Sequence, residues 1–582
     1  MRIKALQSKG YRNLAGEVEL CSPLAVLVGE NNAGKSNLVD ALRTVLEPEG
    51  GPRERCWLRL EDFTHDGHGG DPIEEELELG VVLSDLTPAE KGRLVTCLSP
   101  KTGADCARIR MRARLGADGR VLTEWLGGDS EHADVERHAR SAVSFVYLHP
   151  LRDAAADLRP GRDNKLIGLI NALAPRGDAD RDAIVAAAQA ANDALDAITA
   201  IMRARAAIAN RLNSMTGRGR FTQQSDLAFH DPRFERVVGS LRAKIGELSA
   251  LEMRENGLGY NNLLYMAVLL AAIADQPGDS EPTLRVLLVE EPEAHLHPQL
   301  QELLMRFLES QAVATTQVIV TSHSPTFASS ARVERLTVLT KMPSGPPQAR
   351  VPATFGLEEK QLSYLHRFLD VTKAALFFAR GVVLVEGVAE QLLIPALAQR
   401  MGRPLAPSGV TVINVGGVAF PPFTALFGEE RLTSKVAVVS DGDRQRDVES
   451  ELDGAPTDLS PRAADLLETA GANLAVLLAE RTLEWDLAAA GNVDVMLKAL
   501  TAVKPRVGAA LEKQLQGASR EDAADAILDK VKDVKGRFAQ ELAAILDDDA
   551  VSFEIPKYLQ DAIKWVADEL PAAGLLPEPM ER

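Results

Sequence analysis

The sequence predicts an α/β protein: a P-loop nucleotide-binding domain, broken by a long helical insert and followed by a second α/β domain. Three observations carry that prediction. Gly29-Glu-Asn-Asn-Ala-Gly34-Lys35-Ser36 stands between an apolar strand, Leu24 to Val28, and an amphipathic helix beginning near Asn37. Ala, Ile, Leu and Asn at helical spacing fill residues 165–213 and separate strand-rich flanks. Beyond the Pro-rich stretch Met342–Gln348, a new strand and helix series starts at Gly381, and two of its strands end in acids.

Length and composition bound what such a chain can be. At roughly 100–200 residues per domain, 582 residues imply two to four domains. The 46% hydrophobic content suffices for packed cores and excludes collagen-like, mucin-like and disordered chains. With 65 Lys+Arg against 83 Asp+Glu the net charge is −18, so binding of nucleic acid by bulk charge is disfavoured, whereas a local basic groove or metal-bridged phosphate contact is not. The longest uncharged apolar run, Leu263 to Ala274, is shorter than the roughly 18 residues a membrane span needs, and the opening residues lack a secretory core. A cytoplasmic protein with no membrane association is expected. Cys21, Cys56, Cys97 and Cys106 form no CxxC pair, so neither a zinc ribbon nor a disulfide framework is expected.

The elements follow in order. Ile3 to Leu6 and Leu24 to Val28 read as strands, then Glu76 to Leu83, Ala107 to Leu115 and Val143 to Leu148, separated by Gly, Asp and Pro turns. Asp182 to Leu212 reads as a long helical run. A helix over Asn261 to Ala274, a strand Leu284 to Val289, a helix Gln299 to Ser310 and a strand Gln317 to Val320 return the alternating pattern. The second α/β unit has a strand Gly381 to Val385, a helix Ala389 to Arg400, and strands Val410 to Val415 and Val436 to Ser440. No repeat of fixed period is present.

In the first constellation the P-loop supplies Gly29, Asn31, Asn32, Gly34, Lys35, Ser36 and Asn37 as nucleotide-binding candidates. Glycine N–H groups wrap phosphates, Lys35 neutralises their oxygens and the Ser36 hydroxyl holds Mg²⁺. The strand Val286 to Val289 ends in Glu290 and Glu291, the first a candidate for Mg²⁺ and the second for polarising an attacking water. Strand Val318 to Val320 leads to His323, placed to touch a γ-phosphate. The turn Glu255 to Asn262, with Gly257 and Gly259, opens onto an apolar helix whose N-terminal amides suit a phosphate.

Residues 1–345, with these motifs, resemble the ABC-type ATPases of DNA repair and chromosome organisation. The resemblance implies ATP sandwiched between two heads, hence a dimer. Two departures, the missing Ser-Gly-Gly run at the turn and Glu290 where Asp is usual, bear on turnover more than on binding.

The second constellation is Glu386-Gly-Val-Ala-Glu390 after one strand and Asp441-Gly442-Asp443 after another. Hard oxygen ligands of this kind suit Mg²⁺ or Mn²⁺. The ordered pair resembles the Toprim domain over about residues 376–582, in which the Glu and the two Asp bind metal. An ABC-type head followed by Toprim resembles the OLD (overcoming lysogenization defect) nucleases, including the nuclease subunit of the Gabija anti-phage system. Thr482-Leu-Glu484-Trp-Asp486 looks like that family's later acidic segment, with Glu484 or Asp486 as ligand, and Lys535-Gly-Arg-Phe-Ala539 like its lysine-bearing segment.

The resemblance implies an ATP-regulated, metal-dependent DNA endonuclease in phage defence. Glu386, Glu390, Asp441, Asp443 and Glu484 or Asp486 would hold two ions, and Lys535 would face the phosphate. It also implies a homodimer or tetramer and allows a UvrD-like helicase subunit as partner. The corresponding division is an ATPase head over 1–164 and 236–345, a helical dimerisation insert over 165–235, a linker over 346–375 and a Toprim domain over 376–582. The alternative is a DNA-clamping structural ATPase whose Toprim domain does not cut. A topoisomerase needs a tyrosine nucleophile, and Tyr558 has no evident catalytic context. Two arginine groups stand apart from these motifs: Arg108, Arg110, Arg112 and Arg114 share one face of a strand, as a solvated or phosphate-reading ribbon, and Arg203, Arg205, Arg211, Arg218 and Arg220 cluster near the end of the insert.

Overall fold

The computed structural model describes residues 1–21, 23–46, 58–65, 72–116, 120–131, 135, 137–149, 158–161, 164–216, 225–245, 251–252, 257–274, 284–342, 345–417, 419–442 and 460–567. Asp443, Glu255, Asn256, Arg218, Arg220 and Cys56 lie outside them. The strands in chain order are β1 (Arg2–Tyr11), β2 (Leu14–Glu19), β3 (Leu24–Gly29), β4 (Glu76–Ser84), β5 (Ala107–Leu115), β6 (Val121–Gly127), β7 (Val143–Leu148), β8 (Lys244–Ile245), β9 (Leu251–Glu252), β10 (Leu284–Glu290), β11 (Thr316–Thr321), β12 (Leu336–Thr340), β13 (Gln348–Arg350), β14 (Gly381–Val385), β15 (Val410–Asn414), β16 (Lys435–Ser440) and β17 (Leu474–Leu478).

The apolar run of β3 is wholly buried because the strand lies inside a sheet of order β13-β12-β3-β11-β10-β7, parallel to β12 and β11. Such parallel pairing sets the carboxyl ends of β3, β11 and β10 side by side. An antiparallel sheet, β2-β1-β4-β5-β6, shares its core: Ile3, Leu6, Leu79, Val81, Ile109 and Met111 pack in one cluster with Leu38 and Leu42 of the P-loop helix Lys35–Leu46.

The arginines of β5 do share a face, but at its centre they are neither solvated nor unpaired. Arg110 and Arg112 are 3% and 9% exposed. Arg110 lies 3.2 Å from both Glu78 and Glu131, Arg112 lies 2.9 Å from Glu78, and Arg114 lies 2.7 Å from Glu76. Antiparallel pairing of β4 with β5 lays the acids of one strand against the arginines of the other. The ribbon is an ion-pair ladder, with Arg110 and Arg112 buried and Arg114, Glu76 and Glu131 at its solvent-facing rim.

The chain forms two compact units, residues 1–147 with 283–293 and 298–582, and residues 148–282 with 294–297. Within the second, the helical run expected over 182–212 divides at Ala197-Ile198 into helices Ala179–Asp196 and Thr199–Thr216. Neither helix has a described buried residue; a small core forms instead from Ala174, Phe234 and Val238, with Ile167, Ile170, Ile184 and Val185 against it. Arg205 pairs with Asp196 and Asp226.

In the first unit, residues beyond the ATPase sheet build a parallel sheet of order β15-β14-β16-β17. All five residues of β14 are buried, and Val385 stands beside Val439 of β16, so the chain leaves both strands at one edge. Helices Val388–Arg400, Lys535–Leu546 and Lys557–Ala567 cover it with Leu393, Leu397, Phe538, Leu542, Leu559 and Ile563. Cys21, Cys97 and Cys106 are buried, and none of the three forms a disulfide. Among the described residues no helix is long and apolar enough to cross a membrane.

Candidate functional site

The P-loop leaves β3 at Gly29. Its φ of +146° and the Leu339 carbonyl oxygen, which would lie 2.1 Å from any Cβ at this position, admit only glycine. Lys35 opens the following helix, ahead of the expected start near Asn37, and is buried. Its ammonium donates to the carbonyls of Gly29 (2.6 Å) and Glu30 (2.8 Å). Burial lowers its pKa to about 8, against the opposing charges of Glu291, Glu293 and Glu30.

Glu290 closes β10, is 4% exposed, and accepts a hydrogen bond from the Tyr147 hydroxyl at 2.8 Å. Glu291 leaves the strand with φ +42° and lies 3.2 Å from Nε2 of His323. Burial, then the Lys35 charge, lowers the His323 pKa against the pull of Glu291, favouring a neutral imidazole. Glu293 accepts from the Ser322 hydroxyl (2.7 Å) and the His323 N–H (2.9 Å), and burial raises its pKa. The adjoining tips of β3, β10 and β11 thus gather Lys35, Glu290, Glu291 and His323. Gly257 and Gly259 belong to the second unit. There the helix spans Leu258–Ala274, so Gly259 sits in its first turn instead of the expected loop, and a Cβ on it would meet the His295 carbonyl at 2.6 Å.

At the second sheet, Oε1 of Glu386 accepts the Asp441 N–H at 3.1 Å, the Ser440 hydroxyl and the guanidinium of Arg462. Gly442 allows the next turn to pass because a Cβ there would lie 2.2 Å from the Ala479 carbonyl. Asp441 accepts the Leu483 N–H at 3.1 Å, and burial, then Glu386 and Glu390, raise its pKa to about 8. Burial likewise raises Glu390, in the first turn of Val388–Arg400, with Glu484 and Glu386 adding to the shift.

The two later acids have different surroundings. Glu484 is 0% exposed; its Oε2 lies 3.0 Å from Lys535 Nζ, and its Oε1 has no hydrogen-bond partner among the described residues. Asp486 accepts the N–H groups of Glu480 (2.7 Å) and Arg481 (3.1 Å), and burial raises its pKa to about 6. Burial works against the Lys535 charge, but Glu484, Asp441 and Glu390 outweigh it and hold the lysine above its usual pKa.

A buried orphan carboxylate oxygen and an acid held well above its usual range mark unneutralised negative charge, and an all-oxygen donor set suits Mg²⁺ or Mn²⁺. Among the described residues no three acids close on one ion-sized point. Arg462 and Lys535 instead hold Glu386 and Glu484, so taking an ion requires these side chains to exchange partners.

Residues 24–329 match the family model described as "AAA domain, putative AbiEii toxin, Type IV TA system", and residues 377–443 match "Overcoming lysogenization defect protein-like, TOPRIM domain". The first match spans more than half of the chain. The chain belongs to the family of that AAA domain and carries an OLD-like Toprim domain. The resemblance read from the motifs is borne out, as is the P-loop ATPase fold followed by Toprim. The chain is 26% identical over 465 residues to "Uncharacterized protein YbjD" of Escherichia coli (strain K12), covering 76% of this chain and 80% of that protein. It is 24% identical over 434 residues to the OLD nuclease of Thermus scotoductus, covering 72% and 78%. With endonuclease GajA of Bacillus cereus it shares 25% identity over 217 residues, covering 33% and 31%.

Four residues that shape these sites lie outside the sequence motifs. Arg12, with φ +47° after β1, binds Asn37 (2.8 Å), Asp40 (2.8 Å) and Asp62 (2.9 Å). Tyr147 holds Glu290, while Ser440 and Arg462 hold Glu386. The hydroxyl before Asp441 was a usable local signal; the other three are joined to the site only by folding.

Proposed function

We propose that this protein is an OLD-family, metal-dependent DNA endonuclease whose nucleotide-binding head regulates cleavage. The observation that carries the reading is the seating of Glu386 against the Asp441 N–H at 3.1 Å, with Glu390, Glu484 and Lys535 around the same edge. The ligands assigned are Glu386, Glu390, Asp441, Asp443 and Glu484. Asp486 is left out because two backbone N–H groups occupy its carboxylate. When bound, two divalent ions supply water activation and neutralise charge on the scissile phosphate. Lys535 and Arg462, released from Glu484 and Glu386, bring cationic donors to that phosphate.

In the head, Lys35 exchanges the Gly29 and Glu30 carbonyls for nucleotide phosphates, Ser36 and Glu290 serve Mg²⁺, and Glu291 with His323 faces the γ-phosphate. Gly257 and Gly259 are assigned to nucleotide contact from a second copy. A homodimer or tetramer through 165–235 is supported by Leu195, Ile198, Met202 and Ile208, which are 41–49% exposed on helices or turns with no described buried residue. The division into head (1–164, 236–345), insert, linker (346–375) and Toprim domain (376–582) belongs to this reading, as do a role in anti-phage defence and a UvrD-like helicase partner.

The test is nicking of supercoiled DNA with Mg²⁺ or Mn²⁺. Glu386→Ala and Asp441→Ala are expected to abolish nicking, and Lys35→Ala to abolish its response to ATP. Wild-type nicking by the first two variants overturns the assignment in favour of a DNA-clamping ATPase.

A further inference from the structure

Glu290 occupies the end of β10 where the ATPases this head resembles carry the shorter aspartate. A glutamate has one more rotatable bond, so unless something fixes it, its carboxylate samples positions that an aspartate does not. Here something does. Tyr147, on the neighbouring strand β7, donates its hydroxyl to Glu290 Oε2 at 2.8 Å, and the acceptor is 4% exposed, so water competes little for the bond. The phenol is held in turn: the Arg43 guanidinium carbon lies 3.8 Å from the centre of the Tyr147 ring, and Arg43 lies 3.6 Å from Asp40 on the same P-loop helix. Arg43, Tyr147 and Glu290 therefore form a chain from the helix that binds phosphates to the acid that faces their metal.

We propose that Tyr147 is a positioning residue for magnesium–nucleotide binding, fixing the Glu290 carboxylate so that Oε1 serves the magnesium. The assignment rests on the nucleotide-binding reading of the head. Groups that orient a metal-facing carboxylate typically matter by tenfold or more in affinity. Loss of the hydroxyl thus acts on the magnesium-dependent part of nucleotide binding and leaves phosphate contacts from Lys35 and the P-loop in place.

The test titrates the full chain with a fluorescent ATP analogue in Mg²⁺ and in EDTA, for wild type, Tyr147→Phe, Glu290→Asp and the double variant. Tyr147→Phe is expected to lower the tightening produced by Mg²⁺ about tenfold with unchanged affinity in EDTA. In the Glu290→Asp background, whose shorter carboxylate falls short of the phenol, Tyr147→Phe is expected to have no further effect. Equal losses in Mg²⁺ and EDTA, full retention of the Mg²⁺ effect, or an undiminished Tyr147→Phe effect beside Asp overturns the proposal. A wild type that binds no analogue overturns the nucleotide reading of the head, and this assignment with it.

Discussion

Arg380 places its Nε 3.0 Å from Oε2 of Glu30, an ion pair between residues 350 positions apart that ties the P-loop to the residue preceding β14. At the other end of β14 stands Glu386. A change in the P-loop therefore has a direct route to the sheet that carries the acids. The Arg380 N–H also bonds the Gly409 carbonyl at 2.9 Å, so the backbone stays anchored when the side chain is changed.

Arg380→Gln is expected to reduce the ratio of nicking rates with and without ATP toward one. Arg380 is half exposed, so the pair contributes no more than about 1 kcal/mol to stability and melting should barely move. Nicking rates at matched protein concentration, with and without ATP, provide the check; an unaltered ratio removes this pair from the coupling.

Glu484 and Asp486 are expected to separate cleanly. Glu484→Gln should reduce metal-dependent nicking at least 100-fold while the protein stays folded, because a buried carboxylate with an unpartnered oxygen adds little stability. Asp486→Asn turns an amide NH₂ toward a backbone donor and should cost about 1–3 kcal/mol, with nicking retained below the melting temperature. Thermal melts alongside nicking assays decide between the two.

Asp441 makes the metal-free protein pH-sensitive in a defined direction. Its pKa is raised to about 8 in the fold, so the protonated form is the stabilised one. Its contribution is full below the ordinary aspartate range and is lost as pH rises through about 8. Melting temperature without metal should fall across that interval, and Asp441→Asn should flatten the fall. Ion binding requires the carboxylate, so Mn²⁺ affinity should rise from pH 6 to 8 and level off above, with proton release measurable by calorimetry in two buffers.

Lys35→Met is expected to leave the unliganded fold at least as stable as wild type, since a buried ammonium held by two carbonyls is costly to desolvate. Saturating ATP at 100 times Kd should stabilise wild type by about 2.7 kcal/mol and the variant not at all. A scan of melting temperature against ATP concentration checks this; an equal shift in both proteins excludes Lys35 from nucleotide binding.

The order of the domains, the P-loop, the acids after β14 and β16, and the family were all legible in the linear chain. Those features are local: buried parallel strands appear as apolar runs, and motif residues follow them within a few positions. Folding alone brings Lys535 to Glu484 across 51 residues, Arg462 to Glu386 across 76, and Tyr147 to Glu290 across 143. It also turns the β5 arginines into a ladder of pairs with acids from elsewhere. Periodicity says which side chains share a face, whereas strand order and helix packing decide what lies against that face, and burial there gives each charge its partner and its pKa.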